Sequence, residues 1–67
     1  MITIHLNDNA IEINRDFNIL QLLEHINSPQ NGIAVAINNT IVLKNSWALK
    51  TLSENDRVLI IQATQGG

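Results

Sequence analysis

The spacing of the apolar residues changes twice along this chain, and that change restricts the fold more than any other feature. Ile2, Ile4 and Leu6 alternate with Thr3 and His5, and Ile11 and Ile13 alternate with Glu12 and Asn14. A period of two marks a strand with one buried face. Between the two runs lies Asn7-Asp8-Asn9, residue types that tolerate left-handed backbone angles, so an antiparallel hairpin is predicted. The period then becomes helical. Ile19, Leu22, Leu23 and Ile26 fall at i, i+3, i+4 and i+7, one stripe of an amphipathic helix. Asn18 is the candidate N-cap, with Gln21 placed to complete a capping box and Phe17 and Leu22 placed for a hydrophobic staple. Pro29 is expected to stop the helix near Asn27-Ser28, because the residue before a proline avoids helical angles.

Alternation then returns. Ile33, Val35 and Ile37 share one face of a third strand, leaving Ala34 and Ala36 on the other. Asn38-Asn39 suits the positive φ angles of a tight turn into a fourth strand, Thr40 to Leu43. The segment from Lys44 to Leu52 has no clear period; Ser46 is expected to open a short helical turn, and Trp47 to pin the segment as a satellite of the core. Glu54-Asn55-Asp56 reads as a turn, and Arg57 to Ala63 as the last strand. The order is β-β-α-β-β-β, an α+β domain. One helix covers only one face of a mixed four- or five-stranded sheet. The first and last strands are expected to pair in parallel at its centre, with the intervening elements as the crossover.

Composition narrows the means of support. A chain of 67 residues makes one domain with a thin stability margin. It has no cysteine, and His5 and His25 stand far apart without ligand spacing, so neither a disulfide nor a metal site is expected. Packing must come from the 45% of residues that are hydrophobic, mostly aliphatic and often β-branched. A net charge of −2 with four basic residues argues against nucleic acid or an anionic membrane as partner. No apolar run approaches the roughly 20 residues of a membrane span, and the N-terminal residues lack signal-peptide features. A cytoplasmic location is the resulting expectation.

Familiar catalytic groupings are missing from the sequence. There is no cysteine nucleophile, no serine in a Gly-x-Ser-x-Gly setting and no Walker-type glycine loop. Glu54 and Asp56 read as turn-forming, solvated acids rather than an acid–base pair, and both histidines read as surface residues. What remains is the end, Thr64-Gln65-Gly66-Gly67. Glycine weakens a strand, and nothing in the fold requires two here. A frayed or appended terminus would look the same. If the ending is functional, a stretch free of side chains can thread a narrow channel. Four extended residues reach about 13 Å, enough to bring a terminal carboxylate to another protein's active site.

Several features in register resemble one family. Ala34-Val35-Ala36-Ile37-Asn38 and Ile41-Val42 look like its central hairpin, followed at the usual distance by Trp47. Glu54-Asn55-Asp56 resembles its acidic–Gly–acidic turn, with asparagine as the next best residue at positive φ. Arg57 to Ile61 then leads into Gly66-Gly67. Over its whole length the chain resembles the sulfur carriers of thiamin (thiazole) biosynthesis, the ThiS family, which have the ubiquitin-like β-grasp fold.

That resemblance implies a β-grasp domain over 1–63 and a flexible tail over 64–67. It implies no catalytic residue, bound cofactor or metal in the carrier itself. The Gly67 carboxylate would be adenylated by an E1-like adenylating enzyme using ATP. It would then become a thiocarboxylate with sulfur from a cysteine desulfurase-type donor system, and deliver that sulfur to thiazole synthase. Thr64, Gln65 and Gly66 would thread the partners' active sites. By analogy with other β-grasp carriers, Leu59 and Ile61 are expected to point away from the core and form a partner surface with Ala34 and Ala36. The alternative is that the Lys44–Leu52 segment covers both faces of the last strand. Rival readings are the small subunit of molybdopterin synthase, whose chains tend to be longer with an additional helical insertion, a ubiquitin-like modifier conjugated to lysines, and a β-grasp interaction module whose glycines are incidental.

Overall fold

The computed structural model describes residues 1–62. Its elements are strands β1 (Ile2–Leu6) and β2 (Asn9–Ile13), helix α1 (Ile19–His25), strands β3 (Ile33–Ile37) and β4 (Thr40–Val42), a 3₁₀ turn (Lys44–Ser46), and strand β5 (Arg57–Gln62). They build a five-stranded sheet in the order β2-β1-β5-β3-β4. β1 and β5 pair in parallel at its centre, and every other neighbouring pair is antiparallel. This is the expected β-grasp arrangement, with α1 on one face. The expected domain boundary at 63/64 lies outside the described residues.

Turn chemistry fixes the two hairpins. Asn7 and Asp8 have φ of 47° and 71°, and Asn38 and Asn39 have 51° and 72°. Both turns therefore have two residues with left-handed angles, whose twist matches that of the flanking strands. Asn9 already belongs to β2, so the first turn is one residue shorter than its sequence suggests. Register follows, and with it the faces. Ile2, Ile4 and Leu6 fall opposite Ile13, Ile11 and Val58, while Val35 falls opposite Ile60 and Val42.

The helix is bounded by its own side chains. Asn18 accepts the Gln21 backbone N–H at 2.8 Å, and the Asn18 N–H donates to Gln21 Oε1 at 2.8 Å, which completes the capping box. Its end comes earlier than Pro29 suggests. Ile26 is the C-cap, and Asn27 adopts φ 58°. The Asn27 and Ser28 N–H groups donate to the Glu24 and Leu23 carbonyls, a Schellman closure with asparagine in the left-handed position. Phe17 packs against the core containing Leu22, and its ring meets His25 edge-on at 5.8 Å, a contact not foreseen for that exposed histidine.

Trp47 corrects one expectation. It is 1% exposed and belongs to the main core, together with Ile4, Ile13, Ile19, Leu22, Leu23 and Val35. Its Nε1–H donates to the Val42 carbonyl at 2.9 Å, so the buried indole keeps a polar partner. The helical structure begins before Ser46: a 3₁₀ segment starts after Leu43 without a side-chain cap and ends at Ser46, where a further turn opens. The Ser46 carbonyl accepts the N–H groups of Leu49 and Lys50. This segment is tied to the start of α1. The Ile19 N–H donates to the Trp47 carbonyl, Asn18 Nδ2 to the Ala48 carbonyl, and the Leu52 N–H to the Phe17 carbonyl. It therefore closes the core on the helix side and leaves the opposite sheet face uncovered.

Candidate functional site

The uncovered face takes its character from β5. Along that strand Val58 is 2% exposed and points into the core, whereas Leu59 and Ile61 are each 47% exposed. Ile60 is partly buried against the core. The alternation thus resolves in favour of Leu59 and Ile61 outward, and Lys44–Leu52 does not cover them. Cross-strand pairing completes the surface: Ala34 lies opposite Ile61 and Ala36 opposite Leu59. Small residues at these positions keep the floor low between aliphatic walls. Ala34 is partly exposed, but Ala36, expected as an accessible contact, is only 6% exposed. It forms the base of the depression because its methyl group is overshadowed by longer neighbours.

Sequence reasoning missed Ile41. It pairs with Ala36 from β4 and is 58% exposed, extending the apolar strip toward the sheet edge. The signal was present: a two-residue turn at Asn38-Asn39 puts Ile37 opposite Thr40, which forces Ala36 opposite Ile41. His5 and Arg57, paired across the parallel β1–β5 seam, supply a polar rim. His5, Ala36, Ile41, Arg57, Leu59 and Ile61 border a shallow concavity of about 560 Å³, and Ala34 lies outside its lining. Its aliphatic walls and polar edge suit a protein surface better than a small polar substrate.

The acidic turn has a structural task. Glu54 Oε2 accepts the Thr3 N–H at 3.1 Å, and the Asn55 N–H, at φ 69°, donates to the Thr3 carbonyl at 2.7 Å. Asp56 accepts the Ser53 N–H through Oδ2 and Asn38 Nδ2 through Oδ1. Asn38 in turn accepts the Arg57 N–H at 3.0 Å and donates its own N–H to the Arg57 carbonyl at 2.8 Å. The β3–β4 turn and the start of β5 are thereby locked together. The two acids are occupied as hydrogen-bond acceptors, consistent with their reading as turn formers.

Among the described residues, no group of three or more His, Cys, Asp or Glu side chains is arranged to hold a metal ion. No described helix is long and apolar enough to cross a membrane. Thr64, Gln65, Gly66 and Gly67 lie outside the described residues, so the structure locates the strand that leads to them and not the residues themselves.

Comparisons with known proteins agree with this architecture. The ThiS family model matches residues 4–67, a span that includes Gly66 and Gly67. The sulfur carrier protein ThiS of Escherichia coli (strain K12) is 34% identical over 61 residues, covering 91% of this chain and 92% of that protein. The crystal structure of thiamine biosynthesis protein ThiS from Geobacter metallireducens superposes with a TM-score of 0.86, covering 98% of this chain and 100% of that one. At 17% identity, that likeness speaks to the fold alone. Sequence and fold agree: the chain belongs to the ThiS family.

Proposed function

We propose that this protein is a sulfur carrier of thiamin biosynthesis and that its working group is the Gly67 carboxylate. The observation that carries the reading is the family match running through Gly66-Gly67, on a chain whose last strand bears the exposed aliphatic face. A partner docks on Leu59, Ile61, Ala34, Ala36 and Ile41, and the tail continuing from β5 enters its active site. Thr64, Gln65 and Gly66 supply the reach, and the two glycines pass where a side chain would not fit.

The chemistry belongs to the partners. A carboxylate is a poor electrophile, so an adenylating enzyme of E1 type joins the Gly67 carboxylate oxygen to the α-phosphorus of ATP, releasing pyrophosphate. A persulfide sulfur, drawn from cysteine by a desulfurase-type system, attacks the activated carbonyl carbon and displaces AMP. A thiol then cleaves the S–S bond of the acyl persulfide, freeing the thiocarboxylate and leaving a disulfide. The resulting thiocarboxylate, an anionic sulfur nucleophile, gives its sulfur to thiazole synthase for thiazole phosphate formation. The carrier acts as a cosubstrate in the cytoplasm, with no cofactor of its own.

Removing Gly67 tests this reading. The truncated chain is expected to lose sulfur transfer in a reconstituted thiazole-forming system while its melting curve stays that of the full chain. Transfer at the normal rate without Gly67 would refute the terminal-carboxylate mechanism.

A further inference from the structure

β5 is held unequally on its two sides. Toward β3 its pairing runs as far as Gln62, opposite Ile33. Toward β1 the parallel register ends at Leu6 opposite Val58, because the chain turns away at Asn7. Ile60 would therefore present an unpaired N–H and C=O on that side, a half-edge at the root of the tail. Asn7 closes it. Its backbone N–H donates to the Val58 carbonyl at 3.0 Å, and its side-chain Oδ1 accepts the Ile60 N–H at 2.9 Å. Its Nδ2 reaches the Ile60 carbonyl at 3.4 Å, a longer bond. The carboxamide, carrying one acceptor and one donor, imitates the next peptide unit of β1 and prolongs the parallel ladder by one step. The position also asks for φ of 47°, which asparagine tolerates better than most residues.

We infer that Asn7 is a positioning residue for carboxylate delivery, acting through Ile60. This inference rests on the carrier reading above. Ile60 lies between Leu59 and Ile61, the two exposed aliphatic residues of β5, so a clamp on its peptide groups steadies both the docking strip and the strand that launches the tail. Seven residues follow Ile60 up to and including Gly67. Drawn out in a partner's channel they reach about 23 Å, so a swing of about 10° at Ile60 moves the far end by about 4 Å. Displacements of that size are large against the tolerance of a reacting carboxylate. A loosened strand must also be re-ordered on each encounter, which weakens productive binding and leaves the chemical step of a seated tail unchanged.

The test uses the full chain with the adenylating enzyme and ATP, comparing the native protein with Asn7→Gly and Asn7→Asp. Glycine keeps the left-handed backbone and removes the clamp. Aspartate keeps the acceptor for the Ile60 N–H but lacks the Nδ2 donor. Amide hydrogen exchange at Ile60 is read alongside KM and kcat for adenylation, well below the melting temperature. Asn7→Gly is expected to speed exchange at Ile60 and to raise KM about fivefold or more with kcat unchanged. Asn7→Asp should fall between glycine and the native chain in both readouts. Faster exchange with an unaltered KM would reduce Asn7 to a structural role and overturn the inference. Unaltered exchange would overturn it earlier, since the clamp would then not hold Ile60. Failure of the native chain itself to be adenylated would remove the carrier reading and this inference with it, a result distinct from either.

Discussion

Asparagine does in this chain what glycine does in many others. Asn7, Asn27, Asn38, Asn39 and Asn55 all have positive φ. Asparagine bears the left-handed conformation at less cost than most residues, and its side chain can then be put to a second use. That second use separates the sites. Asn38 holds Asp56 and the Arg57 N–H through its carboxamide, whereas the contact that Asn55 makes with β1 is a backbone bond to Thr3. Asn55→Ala is expected to cost about 1 kcal/mol, the strain of a left-handed alanine. Asn38→Ala should cost about 2–3 kcal/mol, because two side-chain hydrogen bonds are lost as well. Urea unfolding measures both, and equal losses would contradict the double role of Asn38. The turns themselves were legible from residue type. What the Asn7 and Asn38 side chains grip was not, since their partners lie between 18 and 53 positions away in sequence.

Among the elements, β5 most directly joins a buried face to an open aliphatic one, and the proposed function assigns recognition to the open face. Val58 contributes to the core, while Leu59 and Ile61 remain half exposed beside Ala34 and Ala36. Leu59→Ser combined with Ile61→Ser is expected to raise KM for adenylation about tenfold or more, with a change in stability within about 1 kcal/mol. Val58→Ser, one residue away, should instead cost about 2–4 kcal/mol through a cavity and a buried hydroxyl, enough to unfold much of so small a domain. Melting curves and adenylation kinetics on the same samples distinguish the two faces. Unaltered kinetics in the double variant would remove the outer face from the docking surface. Sequence alone showed that β5 is apolar on both faces and could not say which face lies open. That depended on where Lys44–Leu52 folds, and this segment carries no period for a pattern to reveal. Trp47 is held at the main core by a backbone bond from Ile19 at the helix start and an indole bond to Val42, the first a tertiary contact invisible to local spacing. The helix end differed from expectation for a local reason: Asn27 completes the Schellman turn before Pro29 has any effect.

At the scale of the whole molecule, the fold places its two chain-distant strands side by side. β1 and β5 meet in parallel at the sheet centre, so the last strand is held by the first and by β3 before the chain runs on to Gly67. Helix α1 and the Trp47 segment cover one face, and the aliphatic strip occupies the other. The element order and central parallel pair followed from periodicity and layer packing. Linking Gly66-Gly67 to sulfur transfer needed the family resemblance, because two glycines carry no chemistry of their own. On the proposed function, the Gly67 carboxylate exchanges an oxygen for sulfur. Intact-mass measurement of the full chain after incubation with an adenylating enzyme, ATP and a sulfur source tests it most directly. The mass should rise by the difference between one sulfur and one oxygen, with fragmentation placing the change on the last residue. A chain of unchanged mass, when the same mixture loads an authentic carrier, or a sulfur found elsewhere in the sequence, would contradict it.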